Sequence, residues 1–237
     1  MAAELRVFAD PEALGEALAG EVLARYDAVS GPFLLGCPGG RSLRSTYRAL
    51  AAGGRRLDRL VVVMPDEYAG APSDAHYSCT RFGREEIARP LGLGDEHVWV
   101  PDANDPAAFD ERIGAAGGVD LFLLASGASD GHVAFLPPGS APVGGSAVVS
   151  LADATRRDNL ATFPSFGSLE EVPTHGVSVG LGTIAAARSL RLVLHGTGKR
   201  AATRRLLALQ AFDASWPASI VHEHDNAQIW ADREAVG

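Results

Sequence analysis

Lysine is almost absent from this sequence. Lys199 is the only one among 237 residues, against 20 arginines. Cysteine is nearly as scarce. Cys37 and Cys79 cannot build a disulfide framework, and no Cys-x-x-Cys or Cys/His cluster has the spacing of a structural zinc site. No metal-binding set is expected. Long apolar runs are missing too. Nowhere do about 18 apolar residues follow one another, and the start, MAAELRVFADPEAL, has no apolar segment of signal-peptide length. Positive charge is in deficit: 21 basic against 29 acidic side chains leaves a formal net charge of −8. That balance argues against a partner made of nucleic acid or anionic membrane, which would need a basic face. It leaves room for a small anion, which a few N–H groups and one or two cations can hold. The expectation is a soluble, cytoplasmic protein.

What is present is ordinary globular composition, 46% hydrophobic and 21% charged. Apolar runs alternate with helical patterns. Phe33–Cys37, Leu60–Met64, Leu121–Ala125, Ala147–Leu151 and Leu190–Leu194 are short and apolar on both faces, as strands buried in a parallel sheet are. Asp10–Tyr26 opens with a capping Asp and a Pro, then repeats Leu14, Leu18 and Val22 at helical spacing. Ser42–Ala52, Asp74–Ile87, Asp105–Ala116 and Lys199–Leu209 are further expected helices. The Gly/Pro-rich stretch Pro137–Gly145 reads as a loop, and no linker or repeat divides the chain. The pattern predicts one α/β domain over residues 1–237, a doubly wound, mostly parallel, Rossmann-like sheet with helices on both faces.

Four loops at expected strand ends carry the chemistry. Gly36-Cys37-Pro38-Gly39-Gly40-Arg41-Ser42 lets backbone approach a ligand at a helix start, which suits a phosphate or simply makes a tight turn. In Pro65-Asp66-Glu67-Tyr68, directly after Leu60–Met64, Asp66 and Glu67 place two like charges at a strand end, where one pKa can rise toward base duty, although a cap or ion pair uses the same residues. Asp130-Gly131-His132 offers an imidazole beside a carboxylate, suited to proton transfer near neutral pH. Lys199, in Gly196-Thr197-Gly198-Lys199 after Leu190–Leu194, sits on a glycine-rich helix start, where it can clamp a phosphate. In a parallel sheet all four loops project from one edge.

With these motifs in this order, the sequence resembles the superfamily of glucosamine-6-phosphate deaminase/isomerases and 6-phosphogluconolactonases. Val172-Pro173-Thr174-His175, Gly180-Leu181-Gly182-Thr183 and Pro217-Ala218-Ser219 extend the resemblance to nearly the whole chain. For the deaminase/isomerase branch the resemblance implies a hexosamine-6-phosphate substrate and no metal or organic cofactor. Asp66 would move a proton between C1 and C2 through an enol-type intermediate. His132, oriented by Asp130, would assist ring opening. Lys199 and the Gly39–Ser42 backbone (Gly39, Gly40, Arg41, Ser42) would hold the 6-phosphate, with Glu67, Arg156 and Arg157 as supporting candidates. The resemblance allows states from monomer to homo-hexamer.

Two positions depart from the deaminase pattern. The relay glutamate expected after Asp-Gly-His is Pro137, and the phosphate-binding arginine expected near residue 161 is Ala161. Arg156, Arg157 or Arg41 could supply the missing cation. The lactonases also lack that glutamate and often carry a leucine like Leu136, which makes lactone hydrolysis the alternative. Against it stand Tyr68, where lactonases usually have arginine, and the run Val179–Thr183, which they lack. A third reading is a sugar-phosphate sensor without turnover. The intact Asp66, His132 and Lys199 weigh against that.

Overall fold

A computed structural model describes residues 2–163 and 165–237; Met1, the first residue of the N-terminal stretch read above, and Pro164 lie outside them. Seven strands form a parallel sheet: β1 (Glu4–Phe8), β2 (Phe33–Gly36), β3 (Leu60–Val63), β5 (Val98–Trp99), β6 (Leu121–Ala125), β9 (Leu190–Leu194) and β10 (Ala227–Asp232). Their order is β1-β10-β9-β6-β2-β3-β5. The chain therefore runs outward from β2 through β3 to β5, then returns to β6 and runs the other way. β2 and β6 are paired neighbours, with Leu35 opposite Leu121. Their carboxyl ends form the switch point of the sheet, where open α/β folds bind ligands.

The sheet is covered on both faces. Phe33, Leu35, Leu60, Val62, Leu121 and Leu123 point to one core, shared with Leu14, Leu18 and Val22 of α1 (Pro11–Ala28) and with Tyr47 and Leu50 of α2 (Arg44–Ala52). Leu34, Val63, Phe122, Leu124 and Leu192 point to the other, shared with Phe109 and Ile113 of α4 (Pro106–Ala115), Ile184 of α6 (Leu181–Ala185) and Leu206 of α7 (Arg200–Ala208). Alternate residues of each strand go to opposite cores, which is why the central runs are apolar throughout. Each fully buried Leu contributes on the order of 1.5–3 kcal/mol. The entry to α1 is fixed by Asp10, whose side chain accepts from the Ala13 N–H at 2.8 Å. A short helix, α8 (Arg233–Val236), closes the chain.

Two elements differ from the sequence expectation. Ala147–Leu151 is not a buried parallel strand. Its residues Ala147–Ser150 form β7, an exposed edge of a second, antiparallel sheet in the order β4 (Asp66–Tyr68), β8 (His175–Ser178), β7. Four residues are too few for the hydrophobic period to tell one setting from the other. Nor does Asp74–Ile87 form one helix. α3 starts only at Cys79 and ends at Phe82, followed by a wider π-type turn over Gly83–Ala88. Ser78 caps α3 by accepting from Arg81 N, and the Glu67 carboxylate accepts from the N–H groups of Cys79 and Thr80, so the helix start is pinned there. A helix that the sequence reading did not expect, α5 (Asp153–Thr162), follows β7. No helix among the described residues is long and apolar enough to cross a membrane.

Candidate active site

One cavity of about 440 Å³ opens over the switch point. It collects residues from all four strand-end loops: Gly39, Gly40, Arg41 and Ser42 after β2, Asp66 after β3, Ser126 and His132 after β6, and His195 and Lys199 after β9. The neighbouring ends of parallel strands bring together residues that lie more than 150 positions apart in the chain.

Asp66 is buried on the cavity wall, only 6% exposed. Its Oδ1 accepts a hydrogen bond from the Cys79 thiol at 3.1 Å. Burial pushes its carboxyl up from 3.8 to about 7; the thiol works against this, the Glu67 charge adds to it, and His132 opposes it. Glu67, one residue on, does not line the cavity. Its carboxylate accepts from Ser78 Oγ, Thr80 Oγ1 and the N–H groups of Tyr68, Cys79 and Thr80. It is fully used in holding α3, and thereby Cys79, against Asp66.

His132 donates through Nδ1 to Asp130 Oδ1 at 2.7 Å. Since an ionised carboxylate only accepts, Nδ1 carries the hydrogen, and in the neutral ring Nε2 presents its lone pair to the cavity. Asp130 is not itself on the cavity wall. Burial raises its carboxyl, but the bonds from the His132 ring and N–H prevail and hold it below the usual carboxylate range. The loop needs two glycines. A Cβ on Gly127 would sit 2.2 Å from His132 Nδ1, and Gly131 has φ +68°, with the Trp216 ring where its side chain would go.

Lys199 ends the tight turn Thr197–Lys199 before α7, and its Nζ donates to Ser126 O. Burial lowers its pKa, the Asp158 charge raises it, and Arg41 lowers it again. Arg41 is thus close enough to act on Lys199, and the two are the cations of the cavity wall. Arg156 and Arg157 are turned elsewhere. Arg156 donates to the carbonyls of Leu169 and Val172, tying α5 to the following segment. Arg157 is largely exposed and faces Asp153.

The sequence pointed to the segment of α5 through Arg156, Arg157 and Ala161, but not to the residues of it that line the cavity. Thr155, Asp158, Asn159 and Thr162 of α5 line the cavity at positions i, i+3, i+4 and i+7, one face of a helix. That polar stripe was visible in the sequence. Thr155 Oγ1 and Asn159 Nδ2 are buried there without a partner among the described residues, as is the hydroxyl of Tyr68. Cys79 and His195 also line the cavity and were not anticipated. Phe82, Phe135 and Phe163 supply its apolar surface. Among the described residues no group of three or more His, Cys, Asp or Glu could hold a metal ion.

Residues 9–230 match the family described as glucosamine-6-phosphate isomerases/6-phosphogluconolactonase. The chain belongs to this family. A glucosamine-6-phosphate deaminase from Streptomyces avermitilis is 35% identical over 243 residues, covering 98% of this chain and 91% of its own length. One from Shouchella clausii is 31% identical over 212 residues, covering 85% of this chain and 84% of that one. Among solved structures, a monomeric glucosamine-6-phosphate deaminase superposes with a TM-score of 0.89 at 26% identity, over 98% of both chains. The 6-phosphogluconolactonase from Trypanosoma brucei shares the fold, with a TM-score of 0.73 at 20% identity over 98% of this chain and 97% of that one.

Proposed function

We propose that this chain deaminates and isomerises a hexosamine-6-phosphate, converting it with water into a ketohexose-6-phosphate and ammonia. The observation that carries this reading is Asp66. It is a buried carboxyl poised at about 7, in one cavity with an imidazole lone pair and two cations. Lys199, Arg41 and the Gly39–Ser42 backbone hold the phosphate. His132 Nε2 takes the O1 hydroxyl proton as C1 becomes a carbonyl and the C1–O5 bond breaks, then returns it to O5. Asp66 removes the C2 proton of the open aldehyde, giving an enol-type intermediate, and delivers it to C1. The nitrogen at C2 is then an imine, which water hydrolyses to the ketone and ammonia.

The names of the 31–35% identical relatives support the deaminase branch over the lactonase. Within that branch, a donor and an acceptor in the cavity wall, Asn159 Nδ2 and Thr155 Oγ1, await the sugar hydroxyls. The test is incubation with glucosamine-6-phosphate and galactosamine-6-phosphate in deuterated water. Ammonia release with solvent deuterium entering the hexose carbon that receives the proton supports the reading. Rapid opening of 6-phosphogluconolactone without reaction of either amino sugar replaces it with the lactonase. Binding without turnover of any of the three leaves the sensor.

A further inference from the structure

We propose that Asp158 is the second carboxylate of the ring-opening machinery, a positioning residue that acts through His132 from helix α5. His132 lies between two carboxylates from different elements. Asp130 holds Nδ1 from within its own loop at 2.7 Å, and Asp158 Oδ2 stands 4.0 Å from Nε2, across the cavity. The ring is largely enclosed, 13% exposed, while Asp158 reaches in from a half-open face at 42%. Both residues line the same cavity. Among the described residues the Asp158 side chain has no hydrogen bond and no other ion pair, so nothing in the fold itself requires a carboxylate there.

This inference rests on the proposed function, in which His132 Nε2 carries a proton from O1 to O5. While it does so the ring is an imidazolium with a hydrogen on each nitrogen. Asp130 already faces one of them. Asp158 faces the other at ion-pair distance, lowering the cost of the charged ring and aiming Nε2 at the sugar. The position where the family resemblance expects a relay glutamate is Pro137, which has no proton to pass. Asp158 restores the negative charge from a separate helix. It is also near enough to Lys199 to act on its charge, so it spans the phosphate end and the proton-transfer end of the cavity.

The test compares wild type with Asp158→Asn and Asp158→Glu on two substrates. One is glucosamine-6-phosphate. The other is its 4,5-dideoxy analogue, which has no hydroxyl placed to form a five- or six-membered ring and so stays open. Loss of assistance to an acid–base step is expected to lower kcat on glucosamine-6-phosphate by about 10- to 100-fold in Asp158→Asn, with KM changed less than about twofold. The loss on the open analogue is expected to be at least about tenfold smaller, and Asp158→Glu to recover most of the rate. An unchanged thermal midpoint in Asp158→Asn separates this from unfolding. Equal losses on both substrates, wild-type kcat in Asp158→Asn, or a KM rise at constant kcat (a carboxylate that merely holds the sugar's ammonium group) each overturn the inference alone. A wild-type protein that releases no ammonia from glucosamine-6-phosphate overturns it together with the proposed function.

Discussion

Replacing Asp66 by Asn links the chemistry of the site to the stability of the fold. In the native protein burial holds the Asp66 carboxyl at about 7; in the unfolded chain it returns to 3.8. The native state therefore binds a proton that the unfolded state has already lost, and wild-type stability falls as pH rises from about 4 through about 7. Carrying a carboxyl between those two values costs the native state about 4 kcal/mol once it is fully ionised. The side chain is only 6% exposed, so solvent screening removes little of that. Asn is nearly isosteric, has no charge to desolvate, and its carbonyl oxygen can still accept from Cys79. The variant is expected to be within about 1 kcal/mol of wild type near pH 4 and about 4 kcal/mol more stable near pH 8. Urea unfolding followed by the fluorescence of the buried Trp216 and Trp230 measures this at several pH values, with equal m-values as the control. Titrating groups that do not interact with Asp66 are common to both proteins and cancel in the difference; Glu67 and His132, whose charges act on Asp66 less than burial does, add a smaller change. The same variant should lose solvent-proton exchange while still binding sugar phosphate. A stability advantage that stays flat from pH 4 to pH 8, within about 0.5 kcal/mol, refutes the raised carboxyl and the base assignment built on it.

Cys79→Ala removes the thiol that helps the Asp66 carboxylate stay ionised. A hydrogen bond of about 0.5–1.5 kcal/mol should move the acid limb of kcat/KM up by about 0.4–1 pH unit, and a limb that moves down or stays put contradicts the contact. Gly127→Ala drives a methyl group into His132 and Asp130, so ammonia release should drop by at least about tenfold while phosphate binding persists; near-normal turnover would mean that the pair is not needed in its present place. Arg41→Ala and Lys199→Arg should each raise KM for the phosphorylated sugar, by about 10-fold for the loss of a charged contact in Arg41→Ala, whereas Arg157→Ala should change it less than about twofold; the reverse ranking reassigns the cation.

The strand-end loops were legible because their chemistry and their punctuation coincide in the chain. Gly39-Gly40, Asp66, Asp130-Gly131-His132 and Lys199 each follow a buried apolar run, and a parallel sheet places such endings on one edge. β1, β4, β5, β8 and β10 were not legible. His175–Ser178 and Ala227–Asp232 are short and interrupted by polar or small residues, and their partners, which decide their state, are distant in sequence. α5 escaped notice for a related reason. Its residues are mostly polar on every face, so no apolar stripe announces a helix; its inward side covers a cavity instead of a core.

By itself, then, the sequence determined the four central strands of the parallel sheet, the helices on both its faces and the four loops, because hydrophobic spacing and glycine placement act over a few residues. Only the tertiary structure decided the rest. It chose Arg41 over Arg156 and Arg157 as the second cation, spent Glu67 on a helix start, raised Asp66 by burying it, and set Asp158 opposite His132. Each of these depends on which groups from distant segments share a small volume of low dielectric, and charge, distance and burial in that volume are properties of the packed chain.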